Sequence, residues 1–215
     1  VRANPSAGFS IVKYVGTGSL ATVGHSLNSA PEFMIIKGLD DPLSWAVYAN
    51  SPSNYLQLSD TGASNSTDAS NAWNGTAPTS SVFTVKSKAT VNEGAENYVA
   101  YCFAPVEGYS AMGSWTAGSA AFVHLGFRPR FLMVKGTVSG HGWLMFDSAR
   151  STYNRIDDWL TADDSSAEVS GNSTNYLDFL SNGFKIRGVG GYFNTGGTII
   201  YLAFAEHPFK TARAR

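Results

Sequence analysis

The stretch Pro31–Glu32–Phe33–Met34–Ile35–Ile36–Lys37–Gly38 returns about 100 residues later as Pro129–Arg130–Phe131–Leu132–Met133–Val134–Lys135–Gly136. Each copy is an apolar run of strand length. Phe131–Leu132–Met133–Val134 is apolar on both faces, as a central strand covered on both sides would be. Four more blocks recur in the same order at nearly the same offset. Gly8–Phe9–Ser10 matches Gly108–Tyr109–Ser110, and Trp45–Ala46–Val47–Tyr48 matches Trp143–Leu144–Met145–Phe146. Phe83–Thr84–Val85–Lys86 matches Phe184–Lys185–Ile186–Arg187. Tyr98–Val99–Ala100–Tyr101–Cys102–Phe103–Ala104 matches Ile199–Ile200–Tyr201–Leu202–Ala203–Phe204–Ala205. Self-similarity at one fixed offset marks a duplicated structural unit. The expected organisation is two related units, 1–107 and 108–215, joined head to tail near Glu107–Gly108.

The repeated blocks are rich in Val, Ile, Phe, Tyr and Trp and are bounded by Gly, Pro, Asn and Ser, which is the signature of strands. Trp45, Val47 and Ala49 alternate with Ala46, Tyr48 and Asn50, a period of two. Turn signals recur at short intervals, among them Gly16–Thr17–Gly18, Asp40–Asp41–Pro42, Asn182–Gly183 and Gly196–Gly197. The fold class expected is all-β: two tandem related antiparallel β-sandwich units, jelly-roll-like, with little helix. One short helical turn is expected over Asn154–Leu160, with Ile156, Trp159 and Leu160 facing inward. The Ser/Thr/Asn-rich stretch 59–80 reads as an ordered excursion anchored by Trp73. Trp45 and Trp143, being repeat-matched, read as core.

Composition narrows the function. Hydrophobic residues make up 43% of the 215 and charged residues 14%, against about 25% charged in ordinary globular chains. The polar surface must then come from Ser, Thr, Asn and Gly, which suits extracellular or virion-exposed β proteins. A net charge of -1 supplies no basic field to neutralise phosphates, so nucleic acid is not an expected partner. The apolar runs fall far short of the ~20 residues a membrane helix needs, so no membrane insertion is expected. No signal peptide is visible, and a start at Val1 rather than Met reads as a piece of something longer. The single cysteine, Cys102, lies in an apolar run and reads as a small buried hydrophobe, with no disulfide required.

Residues that could carry chemistry are scattered. His25, His124, His141 and His207 have neither metal-ligand spacing nor the cysteine nearby, so no metal or other cofactor is expected. His25 and His124 sit in similar places before the two proline blocks, which favours a structural role. The acidic pairs Asp40–Asp41, Asp157–Asp158 and Asp163–Asp164 could in principle serve glycoside hydrolysis or calcium, but adjacent strand residues point to opposite faces, and solvated turns are the plainer reading. Gly188–Val189–Gly190–Gly191 lacks the Lys-Ser/Thr of a phosphate loop and reads as a hairpin turn. No catalytic residue is assigned.

The two copies diverge most between the Trp block and the Phe-start block, at 59–73 and 148–159. Loops carry function on a repeated scaffold. A loop aromatic beside Asn, Asp or Arg is also how proteins hold sugars, the ring stacking on the sugar face while polar groups bond its hydroxyls. The candidate ligand-binding residues are therefore Trp73, Tyr153, Arg155, Trp159 and Tyr192.

Several blocks, taken as a set, carry a resemblance. They are Asn4–Pro5–Ser6–Ala7–Gly8–Phe9–Ser10–Ile11–Val12, Trp73–Asn74–Gly75–Thr76–Ala77–Pro78, Val106–Glu107–Gly108–Tyr109–Ser110, Leu180–Ser181–Asn182–Gly183–Phe184–Lys185 and Ala203–Phe204–Ala205–Glu206–His207–Pro208–Phe209. The set resembles an uncharacterised domain family common in tail and fibre proteins of bacteriophages, notably marine ones, and the likeness runs over nearly the whole chain. The resemblance implies a virion surface protein assembled in the host cytoplasm. No catalytic motif transfers with it. The leading expectation is a tail-fibre or receptor-binding module that adheres, without catalysis, to a host cell-surface glycan or protein. It would work as a homo-oligomer, a trimer being favoured, with avidity from repeated weak sites. A capsid or tail decoration protein that binds other virion proteins is the second reading, and a glycan depolymerase the third.

Overall fold

The computed structural model describes residues 1–118, 121–194 and 196–207; Pro208 and Phe209 of the last resembling block lie outside them. The backbone divides into two compact units, Val1–Pro105 and Val106–Arg215. In the first, the elements run β1 (Arg2–Asn4), β2 (Phe9–Val15), β3 (Ala21–Gly24), β4 (Phe33–Gly38), β5 (Ala46–Ala49), β6 (Ser51–Gln57), α1 (Ser66–Trp73), β7 (Val82–Val85), α2 (Ala89–Asn92) and β8 (Asn97–Phe103). They form an antiparallel sheet ordered β1-β2-β8-β4-β5-β6 and a two-stranded sheet β3-β7. The second unit continues with β9 (Ser110–Thr116), β10 (Phe122–His124), β11 (Pro129–Gly136), β12 (Trp143–Asp147), β13 (Leu160–Thr161), β14 (Leu177–Leu180), β15 (Gly183–Ile186), α3 (Gly191–Asn194) and β16 (Thr198–Ala205). Its sheets are ordered β13-β12-β11-β16-β9 and β10-β15-β14. Both units are antiparallel β-sandwiches with little helix, the all-β fold that the strand patterns indicate.

The two units share one topology. The core order β2-β8-β4-β5 of the first is β9-β16-β11-β12 in the second, and the ribbon β3-β7 is answered by β10-β15. Alternation decides which side chains meet inside. On β8, Tyr98, Ala100 and Cys102 are buried while Val99, Tyr101 and Phe103 between them are half-exposed. Met34 and Ile36 of β4 join the same core, where Phe83, Val85, Leu27 and Trp73 also pack. In the second unit Leu132, Val134, Leu144, Phe146, Ile199 and Ala203 do likewise. Cys102 is fully buried among them, and burial pushes its thiol up to about 12, so it behaves as a small hydrophobe.

Pairing corrects one of the sequence matches. Phe9 lies opposite Phe103, whereas the residue opposite the matching Phe204 is Ser110. Structurally, then, Phe9 aligns with Ser110 rather than with Tyr109, a one-residue slip from the Gly8–Gly108 match. In this alignment Val12 opposite Ala100 becomes Gly113 opposite Tyr201. The small–large order is reversed between the strands while the pair fills a similar space, the compensation a close-packed core permits. Gly113 is required because a Cβ there would stand 2.6 Å from the Tyr201 hydroxyl.

The repeated Lys-Gly also gains a physical reason. Lys37 Nζ donates to the carbonyls of Leu43 (2.7 Å) and Asp41 (3.2 Å), and Lys135 Nζ donates to that of His141. In both units a lysine ammonium ties down the turn that follows its own strand. Two expectations fail. Trp45 lies outside β5, which starts at Ala46, and is 37% exposed, whereas its repeat partner Trp143 is buried. Residues 154–160 form no helical turn. Ile156 and Leu177 instead exchange backbone hydrogen bonds (2.8 and 3.1 Å), as do Trp159 and Val169 (3.0 Å each way), so bridge partners supplied by the later chain satisfy the groups a helix would have used.

The Gly113–Tyr201 pair is testable by a mutant cycle. Gly113→Val should lower stability by roughly 1–3 kcal/mol through overpacking. Adding Tyr201→Ala, which restores the first unit's Val–Ala pairing, should recover part of that loss. Urea unfolding of both single variants and the double variant measures the coupling; strict additivity would refute it.

Candidate functional site

Where the first unit diverges it builds a helix. Asn65 caps α1, its Oδ1 accepting from the Asp68 N–H at 3.0 Å, and Asn74 ends it in the left-handed conformation. The helix presents Ala69, Ala72 and Trp73 to the core. Trp73 is 1% exposed, its indole N–H donates to the Asn54 carbonyl at 2.9 Å, and its ring meets Tyr48 edge-on at 5.7 Å. A ring so enclosed has no face for a ligand, and Trp73 leaves the candidate set. Tyr192 leaves it for a similar reason. Half-buried and stacked on His141 at 4.6 Å, it donates from its hydroxyl to the carbonyls of Val134 and Gly142. Burial drives that hydroxyl far above the ordinary tyrosine range.

The corresponding stretch of the second unit is a long irregular loop between β12 and β14. It holds the other three candidates, and it is stapled. Arg150 pairs with Asp147 at 2.7 Å and also with Glu168. Asp158 accepts from the Ser151 hydroxyl at 3.0 Å and from the Gly171 N–H at 2.8 Å. The amide of Asn154 makes a two-point contact with Phe179, donating to its carbonyl (3.0 Å) and accepting from its N–H (2.9 Å), as a neighbouring strand would. That contact fixes the backbone between Tyr153 and Arg155.

On either side of Asn154 the loop meets solvent. Tyr153 is 84% exposed. Arg155 Nε bonds Asp157 at 2.6 Å, and its guanidinium, still partly exposed, lies 4.7 Å from the centre of the Tyr176 ring, within cation–π range. Trp159 packs partly against the core, and its indole N–H has no partner among the described residues. Over Tyr153–Asp157 the loop thus carries an exposed ring, a guanidinium held against Tyr176, and the carboxylate paired with it. Tyr176, whose ring meets the Arg155 guanidinium, is not among the residues the sequence singles out. The only signal for it is an aromatic just after the run Asn172–Ser173–Thr174–Asn175, where the Asn172 carboxamide oxygen accepts from the Thr174 and Asn175 N–H groups.

The acidic pairs are occupied by turns. Asp40 accepts from the N–H and side-chain amide of Asn97 (2.8 Å each), which holds its carboxyl below the usual range. Asp163 accepts from the Trp143 N–H, and Asp164 from the Thr161 hydroxyl and Ser166 N–H. Glu96, buried, accepts from the N–H groups of Asp40 (2.8 Å) and Asp41 (3.0 Å). Among the described residues no three His, Cys, Asp or Glu converge as a metal ion would need, and no helix is long and apolar enough to cross a membrane. A groove of about 400 Å³ lies beside β3 in the first unit, walled in part by Val12, Val23 and Val85. Its one buried polar side chain, Asn92, is committed to Thr17 and Ser19.

Two histidines are internal. His25 is fully buried, with Nε2 3.1 Å from the Thr79 carbonyl and Nδ1 accepting from the Leu27 N–H at 3.3 Å, an arrangement that fits the neutral ring. Desolvation lowers its pKa, and that of His141, where the Lys135 charge adds to the effect.

A family model described as a domain of unknown function, DUF7483, matches residues 1–208. No curated protein and no solved structure matches the chain.

The buried histidines set a pH dependence. Both resist protonation when folded, whereas the unfolded chain takes up protons near the ordinary value of about 6.5. Their contribution is therefore full above that pH and is lost as pH falls through it toward the depressed folded values. The urea midpoint should drop from pH 7.5 to pH 5.5, and a His25→Asn/His141→Asn variant should drop less. Parallel profiles for the two proteins would contradict the assignment.

Proposed function

The chain belongs to the DUF7483 family of domains of unknown function, and we propose that it is a non-catalytic adhesion module of a bacteriophage virion surface. It binds a host-surface glycan or protein through the second unit's long loop. The observation that carries the reading is Tyr153. A tyrosine 84% exposed on a loop pinned at the very next residue keeps its ring in water at little cost in mobility to any ligand that stacks on it. The resemblance of the quoted blocks to phage tail and fibre domains supplies the setting.

The chemistry fits a sugar surface. Tyr153 offers an apolar ring to the C–H face of a pyranose. Beside it, Arg155 and Asp157 offer donors and an acceptor to neighbouring hydroxyls, and the Tyr176 stack removes the need to order the guanidinium on binding. One such site is weak. Repetition across a homo-oligomer, or along a fibre, raises its avidity through effective concentration. In the three acidic pairs the carboxylates of Asp40, Asp158, Asp163 and Asp164 serve backbone and side-chain donors and that of Asp157 the Arg155 ion pair, which supports adhesion over hydrolysis.

Fluorescently labelled protein should stain host cells and compete with phage adsorption. Tyr153→Ala and Arg155→Ala should each weaken staining about tenfold or more, on the order of 1.4 kcal/mol, with melting temperatures unchanged, while Tyr153→Phe retains most of it. Staining equal to the parent protein in a Tyr153→Ala/Arg155→Ala double variant defeats the site. Binding to emptied capsids or tails in place of cells defeats the adhesin reading.

A further inference from the structure

We infer that β9 is a self-association seam, pairing antiparallel with β9 of a second copy of this chain. The inference goes beyond the adhesion proposal and is independent of it. It starts from a difference between the two units. In the first, the outer edge of β2 is covered over Phe9–Ile11 by β1, with Arg2, Ala3 and Asn4 opposite Ile11, Ser10 and Phe9, and beyond that it carries the charge of Lys13. The chain makes that fold-back through a short turn at Pro5–Ala7 and Gly8 in the left-handed conformation. Among the described residues the second unit has no counterpart. The residues that would have to supply it are already committed, since Asn97–Phe103 are β8, and Pro105 has no N–H. What remains is a single bridge, Val106 to Ser110.

The direction of the unpaired groups follows from the ladder. Ala117 N–H donates to the Gly197 carbonyl and Ala205 N–H to that of Tyr109, so the odd-numbered residues of β9 turn their backbone groups to β16. Ser110 exchanges both backbone bonds with Val106 on the other side (2.9 and 3.1 Å), so the even-numbered residues turn outward. Met112, Ser114 and Thr116 therefore aim N–H and C=O at the open edge, where no described strand pairs with them. The side chains of Ser114 and Thr116 are exposed, and that of Met112 is buried.

Open edges are normally blunted by brevity, charge or proline. The other edge strands among the described residues follow that rule. β1 is three residues with Arg2, β6 contains Pro52, β13 is two residues, and β3, β7 and β10 are three or four. The bridge from Ile156 to Leu177 and the Asn154 contact cover β14. β9 runs for seven residues, Ser-Ala-Met-Gly-Ser-Trp-Thr, with neither charge nor proline.

A second copy fits this edge by symmetry. Antiparallel pairing about Ser114 sets Ser114 opposite Ser114 and Met112 opposite Thr116. Each outward residue then exchanges its N–H and C=O with its opposite number, and no like charges meet. The contact is isologous and closes as a two-fold dimer, the commonest oligomeric symmetry. It joins the two five-stranded sheets into one.

The test is solution mass against concentration by sedimentation equilibrium, with amide hydrogen exchange on the same samples. The parent and Ser114→Ala, which keeps the N–H, should dimerise. Ser114→Pro, which removes one outward donor and leaves the β16 side intact, should be monomeric with an unchanged melting temperature. Ser114→Lys, which sets like charges opposite each other, should also be monomeric, and it serves if the proline variant does not fold. The amides of Met112, Ser114 and Thr116 should slow as the dimer forms, while those of Gly113 and Trp115 should not change. A parent that stays monomeric at the highest soluble concentration overturns the inference. So does an assembly of any order, a trimer included, that survives both the proline and the lysine variants.

Discussion

Each unit depends on one strand held in register between two others: β8 between β2 and β4, and β16 between β9 and β11. Register is decisive because the side-chain period is two, so a slip of one residue would turn every core side chain outward. On β8 that would exchange Tyr98, Ala100 and Cys102 for Val99, Tyr101 and Phe103. Several devices hold the register at the strand ends. Glu96, just before β8, binds the turn after β4 through the Asp40 and Asp41 N–H groups, and Lys37 binds the same turn's carbonyls. In the second unit the corresponding turn is held by Lys135 and by Asp163 at the Trp143 N–H. These charged groups, Asp163 of the acidic pairs among them, are thus hydrogen-bonding partners for the backbone of the β4–β5 and β11–β12 turns, a role that buried or half-buried charges tolerate because each is bonded.

The same logic separates what was legible in the sequence from what was not. Met34, Ile36, Leu132 and Val134 could be read as strand residues because they fall in the apolar run that the repeat preserves, while only packing shows that they face the core. Trp45 could not be placed correctly. It matches Trp143 in sequence, yet β5 begins one residue after it, and strand ends are set by hydrogen-bond partners that composition does not reveal. The slip between Gly8 and Gly108 has a similar origin. Gly-aromatic-Ser is a turn signature that drifts by one residue at no cost, while the paired strand behind it cannot. Residues 154–160 carry an inward-facing pattern that a helical turn and a bridged loop would share, and the bridge partners Leu177 and Val169 lie too far along the chain to be seen in a local window.

At the site, the legible part was the location and the illegible part was the division of labour. Divergence between copies marks both loops equally, and each contains a tryptophan. Only packing shows that Trp73 closes a core while Tyr153 meets water. Arg155 could be named as a loop cation beside aromatics, but its partner Tyr176 lies on the far side of the loop, and cation–π geometry has no sequence spacing when two separate segments supply it.

That division follows from how each unit fills the space beneath its ribbon. The first has two strands there, β3 and β7, and completes the core with α1, which spends its aromatic residue inward as Trp73. The second adds a third strand, β14, whose Leu177 and Phe179 enter the core together with Ile156 and Phe193. With the interior already filled, the second loop is free of the need to bury its remaining rings. A protein interior close to crystal density has no room for another large side chain, so Tyr153 must stay outside once β14 is in place. The extra strand also gives Asn154 the edge it binds, so the element that fills the core beside Ile156 also holds the loop still. Duplication followed by a change of one core-filling element therefore suffices to convert an internal excursion into a presented one, with the shared sheet untouched.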